Sequence, residues 1–169
     1  MTTHPDNKEM LVLAIDPGFD RCGVAVIKKG ARGETLLFST CITTNADDDY
    51  SERLLAVGRE IEKQIIKWQP DLVALEKLFF TTNQKTATKI SEVRGMIIYL
   101  VAKQGKELVE YTPLQIKQTV AGFGQAGKKQ VTEMVKRLIK LETAPKYDDE
   151  FDAIAIGLTA CAHFRFSAA

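Results

Sequence analysis

The run Leu11-Val12-Leu13-Ala14-Ile15-Asp16-Pro17-Gly18 sets the reading of this chain. Five apolar residues in succession form a buried strand, and an ionised carboxylate at the end of such a strand is costly unless something compensates it. Asp16 either opens the Pro17-Gly18 turn by bonding nearby backbone amides, the ordinary role of an isolated Asp-Pro-Gly, or is held there for chemistry. Glu76 repeats the arrangement at the end of Leu72-Val73-Ala74-Leu75, and no turn residue follows it. Turn formation is a weaker explanation for two acids at the ends of two strands that are expected to be neighbours.

Working outward, residues 1–9 are polar, without the apolar core of a signal peptide, and read as a short flexible leader to one domain over 10–166 of a cytoplasmic protein. Residues 10–15, 22–27 and 35–43 are rich in Val, Ile, Leu and Thr and are separated by Gly-containing turns, which predicts an antiparallel meander. From 51 to 68 the period changes: Leu54, Val57, Ile61, Ile65 and Trp68 form one helical stripe, with Asp49 and Glu52 as its capping box and Gln69-Pro70 as its stop. The strand 71–75, reached through that helix, is expected to lie parallel to an earlier strand by a right-handed crossover. A helix over 83–104, a strand over 107–111, and helices over 114–121, 128–141 and 149–164 complete the chain. The first of these last three is capped by Thr112, Pro113 and Gln115, and the second carries the stripe Val131, Met134, Val135 and Leu138. The predicted fold is α/β, a mixed five-stranded sheet of three antiparallel then two parallel strands flanked by helices.

A third group of acids, Asp148-Asp149-Glu150-Phe151-Asp152, opens the last helix. The helix dipole favours acids in a first turn, which accounts for one or two of them. Asp149 and Asp152, at i and i+3, share a helix face that a helix packed on the sheet can aim at Asp16 and Glu76; Asp148 with Asp152, at i and i+4, is the alternative face. Converging carboxylates repel unless cations intervene, and hard oxygen ligands suit Mg²⁺ or Mn²⁺ and not Zn²⁺. Two such ions about 3.5–4 Å apart activate a water and stabilise the leaving oxygen of a phosphodiester.

Charge is segregated in the same sense. Residues 77–141 hold twelve basic and four acidic side chains, against nine and thirteen in 1–76 and two and five in 142–169. Such a middle is either a solvated lysine-rich surface or a polyanion-binding face beside a concentration of carboxylates. With 169 residues there is room for one domain and not for the duplicated lobes of an actin-like or sugar-kinase-like ATPase, whose phosphate loop also has an acid-glycine turn. Three scattered cysteines and two histidines, His4 and His163, support neither a disulfide framework, nor a zinc knuckle, nor a histidine triad. The longest apolar stretch, 96–102, is too short to span a bilayer, and within it 96–101 is apolar on more than one helical face, fitting core on one side and a dimer contact on the other.

Four motifs in order carry a resemblance over residues 11–164: Ile-Asp-Pro-Gly-x-x-x-x-Gly (15–23), Ala-Leu-Glu-Lys-Leu-Phe-Phe (74–80), Gln-Ile-Lys-Gln-Thr-Val-Ala-Gly-Phe-Gly (115–124) and Asp-x-x-Asp-Ala-Ile-Ala-Ile (149–156). Together they resemble the RuvC family of Holliday-junction resolvases, which have a ribonuclease-H-like fold. The resemblance implies metal-binding acids at Asp16, Glu76, Asp149 and Asp152, catalytic or phosphate-binding lysines at Lys117 and Lys128, and an aromatic that stacks on unpaired bases at Phe79. It also implies a homodimer, since a four-way DNA junction has near two-fold symmetry and needs two matched incisions, and a branch-migration helicase complex as a partner in the same pathway. Lys85, Lys89, Lys117, Lys128 and Lys129 are the expected DNA contacts.

Gly122-Phe123-Gly124-Gln125-Ala126-Gly127-Lys128 imitates two nucleotide-binding motifs, yet both need a preceding strand where a helix is expected, and Lys129 stands at the hydroxyl position. A basic loop touching DNA phosphates fits it better. Of Phe79 and Phe80, adjacent at a strand-to-helix loop, one ring can bury while the other stacks. Asp20 is read as a turn or surface residue with an outer-shell alternative. The expected function is a Mg²⁺-dependent endonuclease selective for four-way junctions, with two ions per site and Mn²⁺ as a substitute. The alternatives are a non-catalytic junction-binding protein on the same fold and a related nuclease acting on other branched DNA or RNA.

Overall fold

The computed structural model describes residues 9–77 and 84–164, apart from the side chains of 84 and 85. Residues 1–8 of the expected leader, and both Phe79 and Phe80, lie outside the described residues. The chain runs β1 (Met10–Asp16), β2 (Arg21–Gly30), β3 (Gly33–Thr43), α1 (Tyr50–Trp68), β4 (Leu72–Glu76), α2 (Gln84–Lys103), β5 (Glu107–Tyr111), α3 (Pro113–Ala121), α4 (Lys128–Leu138) and α5 (Asp148–His163). The strands form one sheet in the order β3-β2-β1-β4-β5. The first three pair antiparallel, and β1, β4 and β5 run parallel.

Alternation along the central strands divides the core between the two faces. Val12, Ala14, Ala25, Ile27 and Ala74 pack with Ile154 and Ile156 of α5 and Val131 and Val135 of α4. Leu13, Ile15, Val24, Val26, Val73 and Leu75 pack with Val57, Ile61 and Ile65 of α1 and Val93 and Ile97 of α2. Strands covered on both faces read as continuous apolar runs, which is why 11–15 and 72–75 show no polar alternation. The two-residue period also fixes where the acids point. Asp16 follows the parity of Val12 and Ala14, and Glu76 that of Ala74, so both project toward the face covered by α5. Ile15 pairs with Leu75, which sets the two carboxylates at the same end of adjacent parallel strands.

Two glycines are required here by close approach. A Cβ at Gly18 would collide with the carbonyl of Arg21 inside the β1–β2 turn. At Gly23, opposite Asp16 in the ladder, it would collide with the carbonyl oxygen of Asp149, so the first turn of α5 lies directly on that backbone. The far end of α5 is tied down by Lys29, which donates to the carbonyls of Cys161 and Phe164.

Two local expectations need correction. Asp49 is the N-cap of α1, but its side chain makes no cap hydrogen bond, so the Asp49–Glu52 capping box does not form. Helix α4 ends at Leu138, not at 141: Ile139 turns to an extended conformation and buries, leaving Leu138 half exposed. The Thr112–Gln115 box at α3 forms as expected, with Gln115 N donating to Thr112 Oγ1 at 3.2 Å and Thr112 N to Gln115 Oε1 at 2.8 Å. Gln69, at φ 44°, ends α1 before Pro70. Gly122 caps the end of α3, so a helix precedes the glycine loop. Among the described residues no helix is long and apolar enough to cross a membrane.

Candidate metal-binding cleft

Asp16, Glu76 and Asp152 line one cleft of about 210 Å³ together with Lys117 and Lys128. The acids come from the ends of β1 and β4 and from the second turn of α5; Lys117 comes from α3, and Lys128 is the first residue of α4. The wall beside them is apolar, built from Ile116, Val131 and Ile156. Low-polarity surroundings strengthen each charge interaction and penalise each uncompensated one.

The proton affinities show the strain. Burial, then the negative charges of Asp152, Glu76 and Asp149, push the Asp16 carboxyl up to about 8, against the pull of Lys128. Glu76 is raised by burial and by Asp152, while Lys117, Arg94 and Lys128 oppose the shift. Asp152 is raised by burial despite accepting from Lys128. Burial alone would lower Lys128, but its bond to Asp152 and the charges of Asp148 and Asp149 outweigh this and hold its ammonium above the usual lysine value. Its Nζ lies 2.9 Å from Asp152 Oδ2 and 3.8 Å from Asp148 Oδ2. A lysine therefore acts as counter-ion within a group of acids too concentrated to ionise unaided. In this arrangement, no three Asp, Glu, His or Cys side chains among the described residues gather tightly enough to cage one ion.

The acids that open α5 have separate environments. Glu150 is structural: it is buried, accepts from the backbone N–H of Lys146 at 3.0 Å, and accepts from Ser39 Oγ at 2.9 Å. Asp148 is largely exposed at 71% of its side chain, against 17% for Asp149, and Asp149 is the one of the pair whose charge acts on Asp16. Asp149 lines a neighbouring cleft with Gly18, Phe19, Arg21 and Lys89, so Asp149 and Asp152 open onto different clefts. Its Oδ2 is buried and accepts no hydrogen bond among the described residues; Arg21 Nε approaches to 3.2 Å as an ion pair outside hydrogen-bond geometry.

Lys89 of α2 and Lys129 of α4 are both exposed, and Lys89 Nζ stands 5.1 Å from the centre of the Phe19 ring. Phe79 and the side chain of Lys85 lie outside the described residues. Asp20, expected at the surface, pairs with Arg53. Sequence reasoning missed two arginines. Arg94 of α2 is buried and donates to the carbonyl of Glu76 and the carboxylate of Glu110, fixing the end of β4 against β5. Arg21 meets Asp149 only because α5 packs across β2. A lone arginine in a strand or helix pattern gives no signal of such a contact.

Residues 12–160 match the family model of the crossover junction endodeoxyribonuclease RuvC. The chain belongs to the RuvC family. RuvC of Ruminiclostridium cellulolyticum is 43% identical over 149 residues, spanning 88% of this chain and 90% of that protein. The solved structure of T. thermophilus RuvC in complex with Holliday junction substrate is 32% identical, with a TM-score of 0.82 over 89% of this chain and 92% of that one. The yeast mitochondrial Holliday junction resolvase Ydc2, at 13% identity and a TM-score of 0.64, shares the fold. The mixed sheet and its flanking helices are thus the ribonuclease-H-like fold of RuvC proteins.

Proposed function

We propose that this chain is a metal-dependent endonuclease that resolves four-way DNA junctions by paired symmetric nicks, as a homodimer working beside a branch-migration helicase in the cytoplasm. The observation that carries the reading is the cleft in which Asp16, Glu76 and Asp152 meet around Lys128. Family membership and a junction-bound RuvC relative of the same architecture support the choice of DNA substrate.

The residues fit a divalent cation. Their donors are hard carboxylate oxygens, burial and mutual repulsion raise Asp16, and Asp149 Oδ2 is a buried acceptor without a hydrogen bond among the described residues. Asp16, Glu76, Asp149 and Asp152 would hold Mg²⁺, as two ions, with Mn²⁺ as a substitute. Bound there, such ions would supply Lewis acidity to the attacking water and to the departing oxygen. The chain supplies the rest. Arg94 fixes the strand end from which Glu76 projects. Lys117 and Lys128, on the cleft wall, offset charge on the phosphate oxygens. Lys85, Lys89 and Lys129 extend the phosphate-binding surface, and Phe79 stacks on a base at the junction centre. Ile98 and Tyr99, exposed on the outer side of α2, suit a contact between two copies.

The test is nicking of a synthetic four-way junction, with and without Mg²⁺ or Mn²⁺, by the wild-type chain and by Asp16→Asn. Metal-dependent paired nicks lost in the folded variant are expected. A folded variant that cuts at the wild-type rate overturns the metal site, and a wild-type chain that binds junctions without cutting overturns the enzyme.

A further inference from the structure

Arg21 has no part in the mechanism above, although it touches a residue that has. It opens β2 just past the Asp-Pro-Gly turn, and α5 brings Asp149 to it from the other end of the chain. Among the described residues Asp149 Oδ2 accepts no hydrogen bond, and the ion pair with Arg21 Nε at 3.2 Å lies off hydrogen-bond geometry. The guanidinium is 5.8 Å from the centre of the Tyr147 ring, just before α5, and the side chain is 53% exposed. It borders the second cleft, of about 280 Å³, which Lys89 also lines. Asp149 therefore faces Arg21 in one cleft while its charge acts on Asp16 in the other.

Taking the metal site of the proposed function as given, we infer that Arg21 is a positioning residue that competes with the divalent cation for Asp149 and exchanges that carboxylate for a DNA phosphate. A cation held by Asp149 stands within a few ångströms of a fixed positive charge, and like charges at that range oppose binding. The same guanidinium is planar, always protonated and open to solvent, which is the form that holds phosphate oxygens by two parallel bonds. Lys89, across the cleft, gives the strand a second cation. Metal and DNA then favour one another: either ligand draws Arg21 away from the position that hinders the other.

Two measurements independent of cleavage test this. Mn²⁺ affinity, read by calorimetry without DNA, should be on the order of tenfold tighter in Arg21→Ala than in wild type. Arg21→Lys, which keeps the charge, should stay near wild type. In an Asp149→Asn background, Arg21→Ala should change nothing further, because the effect runs through that carboxylate. Junction affinity in EDTA should weaken in Arg21→Ala, with its salt slope reduced by about one. Mn²⁺ binding that is unchanged or weaker in Arg21→Ala overturns the competition, and unchanged junction affinity overturns the phosphate role. Failure of the wild-type chain to bind Mn²⁺ overturns the metal site itself, a different result from a wild type that binds and a variant that binds equally.

Discussion

At the scale of the residue, Asp16 shows how far burial alone shapes the chemistry. Its carboxyl stands at about 8 in the folded chain, against an ordinary value of 3.8. Because the folded value is the higher one, protonation of Asp16 stabilises the fold fully below 3.8, and that stabilisation is lost as pH rises through about 8. Glu76 and Asp152 are shifted in the same direction. The metal-free protein should therefore melt at a lower temperature at pH 9 than at pH 5 in scanning calorimetry with EDTA, and Asp16→Asn should flatten that dependence. A variant as pH-sensitive as wild type would contradict this account. Asp16 and Glu76 were legible in the sequence because a carboxylate ending an apolar strand needs a reason to be there. Arg21 and Arg94 were not, since nothing in a strand or helix pattern marks which arginine will meet a carboxylate from a distant element.

At the scale of the element, the first turn of α5 is where the fold and the site are one object. It is seated by Gly23, whose missing side chain leaves room for the Asp149 carbonyl, and sealed by Glu150, which accepts from Lys146 and Ser39. A methyl group at Gly23 has no space to enter without lifting that turn. Gly23→Ala should cost about 1–3 kcal/mol in urea unfolding, as overpacking generally does, and should weaken Mn²⁺ binding because Asp149 and Asp152 shift together. Loss of stability with unchanged metal affinity would show that the acids do not depend on this seating. Element existence was readable from period: the stripe of α1 and the capping box of α3 both appear where the pattern puts them. The ends were less so. Extending the α4 stripe by spacing put Leu138 in the core, whereas Ile139 leaves the helix to take that place, a choice made by packing against the sheet.

At the scale of the whole molecule, the parallel placement of β4 beside β1 brings residues sixty apart to one end of the sheet. The crossover rule made that arrangement readable before any coordinates, and with it the meeting of Asp16 and Glu76. The acids of α5 needed the structure, because a helix drawn from sequence has no fixed rotation about its axis; here that rotation turns Asp152 to one cleft and Asp149 to the next. The basic middle of the chain makes a prediction at this scale too. Junction affinity should fall steeply and linearly on a log–log plot as salt rises, through release of counterions from phosphate. A binding constant that does not change between low and moderate salt would remove that face from the DNA interface.

Helix α5 touches all five strands as well as α3 and α4, and it also carries two of the four acids. It is the keel of the molecule and, in the proposed function, part of its blade. On the proposed function, a copy that frays, emerges half-made from synthesis or is damaged enough to loosen this helix loses its grip on the sheet and its cutting edge at the same moment. For an enzyme that nicks junction DNA, a copy folded badly yet still able to cut is the state that this coupling works against.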